Sequence, residues 1–219
     1  QLACVFDTGK ELADGPYAAE GYRCQTCHMP EGERGITHLG TPKRKTRRHW
    51  FGGSLIPKHP KFAAELEPLH AHYPDGLKAR WVDLPESVTP GESVTLTFEL
   101  SNAEAGHLLP TGDPERFISV KTEVRAPGGK VLATDDQRFG TTFNWDPPVT
   151  KLSDNRLKPR EARTFTLTFT APETGPVELV FKADKWRLSQ ENFDYHELEG
   201  RAVAGRSFLN ESTPLPVAR

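Results

Sequence analysis

The pattern of apolar and polar positions changes period near residue 80. Beyond it, "SVTLTFELS" alternates Val94, Leu96, Phe98 and Leu100 with Thr95, Thr97 and Glu99, as a strand that buries one face does. "FISVKTEVR" repeats the device with Ile118, Val120, Thr122 and Val124, and "APGGK" turns the chain into "VLAT". "RTFTLTFTA" places Phe165, Leu167 and Phe169 on one face, "VELVFKA" places Val177, Leu179 and Phe181, and "RAVAGRSF" closes the set. Six or seven short strands divided by Gly/Pro turns predict an antiparallel β-sandwich of immunoglobulin-like shape over residues 81–219. No disulfide between its sheets is available, because all three cysteines lie before residue 28.

Residues 1–80 read differently. Gly and Pro punctuate them at "DGPY", "MPEGERG", "LGTPK", "FGGS" and "IPKHP", which allows short helices around residues 8–23 but no extended regular structure. "KFAAELEPLHAHY", residues 61–73, carries Phe62, Leu66 and Leu69 at helical spacing, with Pro68 limiting its regularity and His70 and His72 at its end. The fold class expected is therefore mixed: a small irregular and helical segment, then an all-β sandwich. So irregular a segment buries little apolar surface and needs a large apolar nucleus to be stable.

"GYRCQTCHMPEGERG", residues 21–35, suggests what that nucleus is. A Cys-x-x-Cys pair serves a redox dithiol, half of a zinc site, or covalent attachment of c-type haem. The dithiol belongs in an alternating βαβ pattern, which is absent, whereas Met29-Pro30-Glu31-Gly32 follows the motif. A structural zinc module needs four ligands, and Cys4 with a histidine would complete Cys24 and Cys27 only at irregular spacing. One covalent haem c uses every group: Cys24 and Cys27 form thioethers and His28 binds the iron. Leu12, Tyr17, Tyr22, Ile36, Leu39, Trp50, Phe51, Leu55 and Ile56 are candidates to pack on it.

Haem of this kind is attached outside the cytoplasm, so the motif implies an exported, periplasmic or extracellular protein. The chain begins at Gln1, as a mature product or a fragment would. "QLAC" is a poor lipid-attachment signal, and Cys4 reads first as a buried, inert thiol. No apolar run approaches the roughly 18 residues of a membrane span. A net charge of -2 argues against nucleic acid as a partner. Residues 1–80 nevertheless hold 12 Lys/Arg against 9 Asp/Glu, concentrated in "TPKRKTRRHW". That segment is a solvated loop, a docking patch for an acidic redox partner, or a source of cations for haem propionates.

Three stretches taken together, "YAAEGYRCQTCHMP", "GTPKRKTRRHWFGGS" and "SNAEAGHLLPTGDPERF", resemble the C-terminal part of multihaem c-type cytochromes of the cytochrome c554-like family. The shared elements are a Cys-His-Met-Pro block, a His-x-Phe-Gly block and a Gly-His-x-x-Pro-Thr-Gly block. The resemblance covers roughly residues 15–125 and implies a last haem site running into a β-sandwich. Such proteins carry several haem motifs and this chain has one, which makes it a monohaem relative or a piece of something longer.

Met29, held beside His28, cannot reach the opposite face of the ring. The iron's second ligand is then a histidine, water or an unusual side chain. His49 and His107 lead because both sit in blocks that carry the resemblance. His49, flanked by Trp50 and Phe51, is placed first, and His107, ahead of "LLPTGDP", is the alternative. His38, His59 and His196 have only their identity to recommend them. The function expected is electron transfer by a bis-histidine, low-spin, low-potential haem, with a redox protein or other cytochrome subunits as partners and an oligomer left open. The competing reading is a haem enzyme of peroxidase or nitrogen-oxide reductase type, with Arg47, Arg48 and His49 beside an open iron position.

Overall fold

The computed structural model describes residues 6–35, 42–48 and 51–218. Most of the regular structure is antiparallel β-sheet, accompanied by a few short helices. One sheet has three strands, β3 (Leu77–Val82), β4 (Ser93–Asn102) and β8 (Ala162–Thr170), in the order β3-β4-β8. The second has five, from β5 (Phe117–Arg125), β6 (Val131–Asn144), β7 (Thr150–Asp154), β9 (Val177–Trp186) and β10 (Gly205–Leu215), in the order β10-β9-β5-β6-β7.

The period-two faces meet between these sheets. Leu96, Phe98 and Leu100 of β4 and Leu167 and Phe169 of β8 share one buried core with Ile118, Val120 and Val124 of β5 and Val177, Leu179 and Phe181 of β9. Phe98 is fully buried and stands 5.8 Å from Phe181 across the layers, edge to face. Trp81 stacks on the same Phe181 at 4.7 Å. The arrangement is that of a β-sandwich. Its first strand, β3, starts at Leu77 and pairs with β4 from Leu77↔Asn102 to Val82↔Thr97.

Ahead of the sandwich lie three short helices, α1 (Thr8–Ala13), α2 (Pro16–Ala19) and α3 (Cys24–His28). A polar hairpin follows, β1 (Glu31–Arg34) with β2 (Arg44–Arg47). The stretch read as one helix over 61–73 is broken into a 3₁₀ turn at Pro60–Phe62, α4 (Ala63–Leu66) and a second 3₁₀ run at Glu67–His72. Pro68 lacks an amide hydrogen and its ring crowds the preceding turn, so α-helix does not continue through it.

Ion pairs and hydrogen bonds tie α1 and α2 to the sandwich. Glu11 meets Arg156 at 2.7 Å with only 7% and 13% of their side chains exposed, and Glu20 meets Arg160 at 2.7 Å. Thr111 donates to Glu11 at 2.6 Å and accepts from Thr8 at 2.8 Å. The loop at 54–56 is clamped from the other sheet: Arg206 donates to the Ser54 carbonyl at 3.2 Å and Arg187 to that of Ile56 at 2.7 Å.

Candidate functional site

Cysteines three apart and a histidine after the second fall at i, i+3 and i+4, which on a helix is one face. Helix α3 realises this, opened by the Arg23 amide donating to Thr26 Oγ1 at 3.1 Å. Its C-terminal end is held by a cation, as the exposed carbonyls there favour. Arg47 of β2 donates to the carbonyls of Gln25 at 3.0 Å and Met29 at 3.2 Å and pairs with Glu31 at 3.0 Å. This residue of the basic segment therefore positions the motif.

Cys24, Cys27 and His28 open onto a cavity of about 300 Å³ between α1, α2, the loop after Trp50 and one end of the sandwich. Leu12, Tyr17, Tyr22, Phe51, Ile56 and His107 also line it. Of the apolar candidates from the sequence, Leu55 is buried elsewhere, while Ile36, Leu39 and Trp50 lie outside the described residues. So do Cys4, His38 and His49, the histidine placed first as second ligand.

His107 is on the cavity wall, facing His28. The two imidazoles are nearly parallel, 8° apart in plane, with centroids separated by 6.2 Å. Phe51 stacks on His28 at 4.3 Å. His28 Nδ1 donates to the Gly52 carbonyl and His107 Nδ1 to the Leu108 carbonyl at 2.9 Å. In the neutral form of each ring Nε2 is then the lone-pair nitrogen. Burial holds the His107 imidazole below its ordinary pKa; the Leu108 carbonyl opposes this and the charge of His28 adds to it. The shift favours the neutral ring, the form in which an imidazole binds a metal.

The loop carrying His107 is fixed by a residue that sequence reasoning missed. Asn102, fully buried at the end of β4, donates to the carbonyls of His107 at 2.9 Å and Leu157 at 3.2 Å and accepts from the Ala105 amide at 3.0 Å. A polar residue closing an alternating strand was the available signal. Asn102→Ala takes the partner from the His107 carbonyl and the Ala105 amide, while the Leu157 carbonyl keeps the Leu109 amide, and each unpaired buried group costs about 1–3 kcal/mol. Urea unfolding is expected to show a loss of roughly 2–4 kcal/mol, and a loss below ~0.5 kcal/mol would show that the loop is held by other means.

Burial, and secondarily Cys24, push the Cys27 thiol above its ordinary pKa, away from the lowered values of activated thiols. Among the described residues no three His, Cys, Asp or Glu side chains converge to form a metal-binding group, and Cys4, which the zinc reading needs, lies outside them. Nor is any helix among the described residues long and apolar enough to cross a membrane.

No protein-family model matches the chain, and no curated protein sequence matches it. Among solved structures it is similar to a penta-heme cytochrome c552 from Thermochromatium tepidum, at TM-score 0.63 and 20% identity, over 96% of this chain and 51% of that one. The likeness is to a multihaem cytochrome. At that identity it is a likeness of fold, and the chain spans about half the length of the cytochrome. Weaker likenesses, to the sporulation control protein Spo0M of Bacillus subtilis at TM-score 0.26 and 14% identity over 66% of this chain and 50% of that one, and to a glycoside hydrolase family 2 β-glucuronidase at 0.31 and 11% over 65% and 11%, fall on part of the chain.

Proposed function

We propose that the chain is an exported c-type cytochrome segment that carries one haem, attached through Cys24 and Cys27 with His28 and His107 as axial ligands, and that it transfers electrons. The residues present fit that group. Two thiols and an imidazole stand on one helix face, a second imidazole faces them, and the cavity between has aromatic walls. Tyr22 and Phe51, 39% and 57% exposed, line its mouth and are the kind of surface a flat apolar ring covers.

One observation carries the reading. A metal–imidazole bond is about 2.0 Å long and the ring a little over ~1 Å in radius, so imidazoles on opposite sides of one iron have centroids roughly 6 Å apart. His28 and His107 stand at 6.2 Å. His107 is accordingly preferred to His49 as the distal ligand.

When bound, the haem supplies a one-electron couple, and with both axial positions filled by imidazole its potential lies below that of a His/Met site. The chain orients it. The Gly52 and Leu108 carbonyls fix the two rings, α3 presents the thiols, and the sandwich closes the cavity. In this reading residues 1–80 are the haem-binding segment and residues 81–219 an immunoglobulin-like sandwich domain that contributes the distal ligand. The partners are a redox protein or further cytochrome subunits. The haem-enzyme reading loses one of the cations it named, because Arg47 is engaged with backbone carbonyls.

The test is mass. Protein exported by a host that attaches haem c, then denatured, is expected to keep the mass of one haem, and Cys24→Ser with Cys27→Ser to lose it. Haem extracted by acid and acetone from the wild-type chain would overturn covalent attachment.

A further inference from the structure

The cavity has one end whose positive charge is unmatched. The last rung between β5 and β9 is Phe117↔Trp186, with the two rings stacked at 5.7 Å. One residue further along each strand the register brings Arg116 and Arg187 to the same end of the sheet. Each has a buried Nε without a hydrogen-bond partner. Arg187 donates through Nη2 to the Ile56 carbonyl at 2.7 Å, and neither guanidinium forms an ion pair among the described residues. Burial, then the positive charge of Arg116, push the Arg187 guanidinium below its ordinary pKa against the pull of Asp113. Two half-buried like charges with empty donors lack an anion.

The other charged groups on the cavity wall are already answered. Asp75 receives Lys185 at 2.6 Å and also Arg206; Glu104 meets Lys78 at 3.2 Å; Arg23 is exposed to solvent. Arg116 remains, on the wall of the cavity. We propose that Arg116, with Arg187 beside it, binds a propionate carboxylate of the haem and so fixes the rotation of the ring against the sandwich. A guanidinium suits this because its planar fork takes a carboxylate through two hydrogen bonds. The inference rests on the haem reading above.

The experiment is a spectroelectrochemical titration of the haem-loaded protein between pH 5 and 9. Two guanidinium groups keep the carboxylate ionised in both redox states, so the wild-type potential should vary little with pH from this source. In Arg116→Gln the carboxyl titrates within that window. Its ionised form favours ferric iron, so the potential of the variant should fall as pH rises, and more steeply than in the wild type. Arg116→Lys should restore most of the flat profile, and Arg187→Gln should shift it in the direction of Arg116→Gln. A haem-loaded, low-spin Arg116→Gln protein whose profile superimposes on the wild type overturns this inference alone. Wild-type protein without covalent haem overturns the haem reading, and this inference with it.

Discussion

His107→Ala converts the haem-loaded protein from a low-spin to a high-spin spectrum and lets carbon monoxide bind the ferrous iron, whereas His49→Ala leaves both unchanged. The expectation follows from the parallel pair of imidazoles 6.2 Å apart and from the carbonyls that hold each Nδ1. Removing the His107 ring deletes one local hydrogen bond, to the neighbouring Leu108, so the sandwich core should not register the change. Circular dichroism of the variant should match the wild type. If His49→Ala opens the iron and His107→Ala does not, the ligand comes from the basic segment, and the facing imidazoles are a packing arrangement.

The sandwich was legible because its strands bury one face. Val94 to Leu100, Ile118 to Val124 and Val177 to Phe181 announce themselves by alternation, and the core contains these side chains. The strands that escaped notice lack that signal. Every residue of β7 is exposed, β1 and β2 read Glu-Gly-Glu-Arg and Arg-Lys-Thr-Arg, and the middle of β6 runs through Asp135, Asp136, Gln137 and Arg138. Their stability comes from backbone ladders, which composition does not record. Strand β3 sat inside what read as a transition, because Lys78 and Arg80 mask the buried Leu77.

The site was legible in its local half only. Cys24, Cys27 and His28 are a contiguous signal, and one helical turn places them together. The facing imidazole comes from a loop whose position depends on the sheet, on Asn102 and on the ion pair of Glu11 with Arg156. Of these supports only Asn102 lies near His107 in sequence. Proximity in sequence favoured His49, which lies outside the described residues, whereas His107 faces His28 across the cavity. The three short blocks behind the resemblance nevertheless converge: α3, the Phe51-Gly52 pair and the Gly106–Gly112 loop all line one cavity.

Gly52→Ala tests the least visible of these supports and should damage both stability and the iron's environment. A Cβ built on Gly52 would lie 2.3, 2.5 and 2.6 Å from three atoms of the Tyr73 ring, far inside the roughly 3.5–4.0 Å at which carbon atoms rest. Tyr73 is only 5% exposed, so its ring has nowhere to retreat without disturbing its neighbours. The backbone at residue 52 must therefore move, and its carbonyl is the acceptor that holds His28 Nδ1, while its amide donates to the His28 carbonyl at 3.4 Å. Overpacking of this kind costs about 1–3 kcal/mol. The haem-loaded variant should lose that much in denaturant unfolding, with a weakened or mixed-spin iron spectrum as the proximal ring tilts. A double-mutant cycle separates the clash from a general intolerance of the position. In a Tyr73→Ala background the added methyl meets open space, so Gly52→Ala should cost less than ~0.5 kcal/mol there. An equal cost in both backgrounds would show that Tyr73 is not what requires glycine at residue 52, and an unchanged iron spectrum in Gly52→Ala would show that the Gly52 carbonyl does not orient His28.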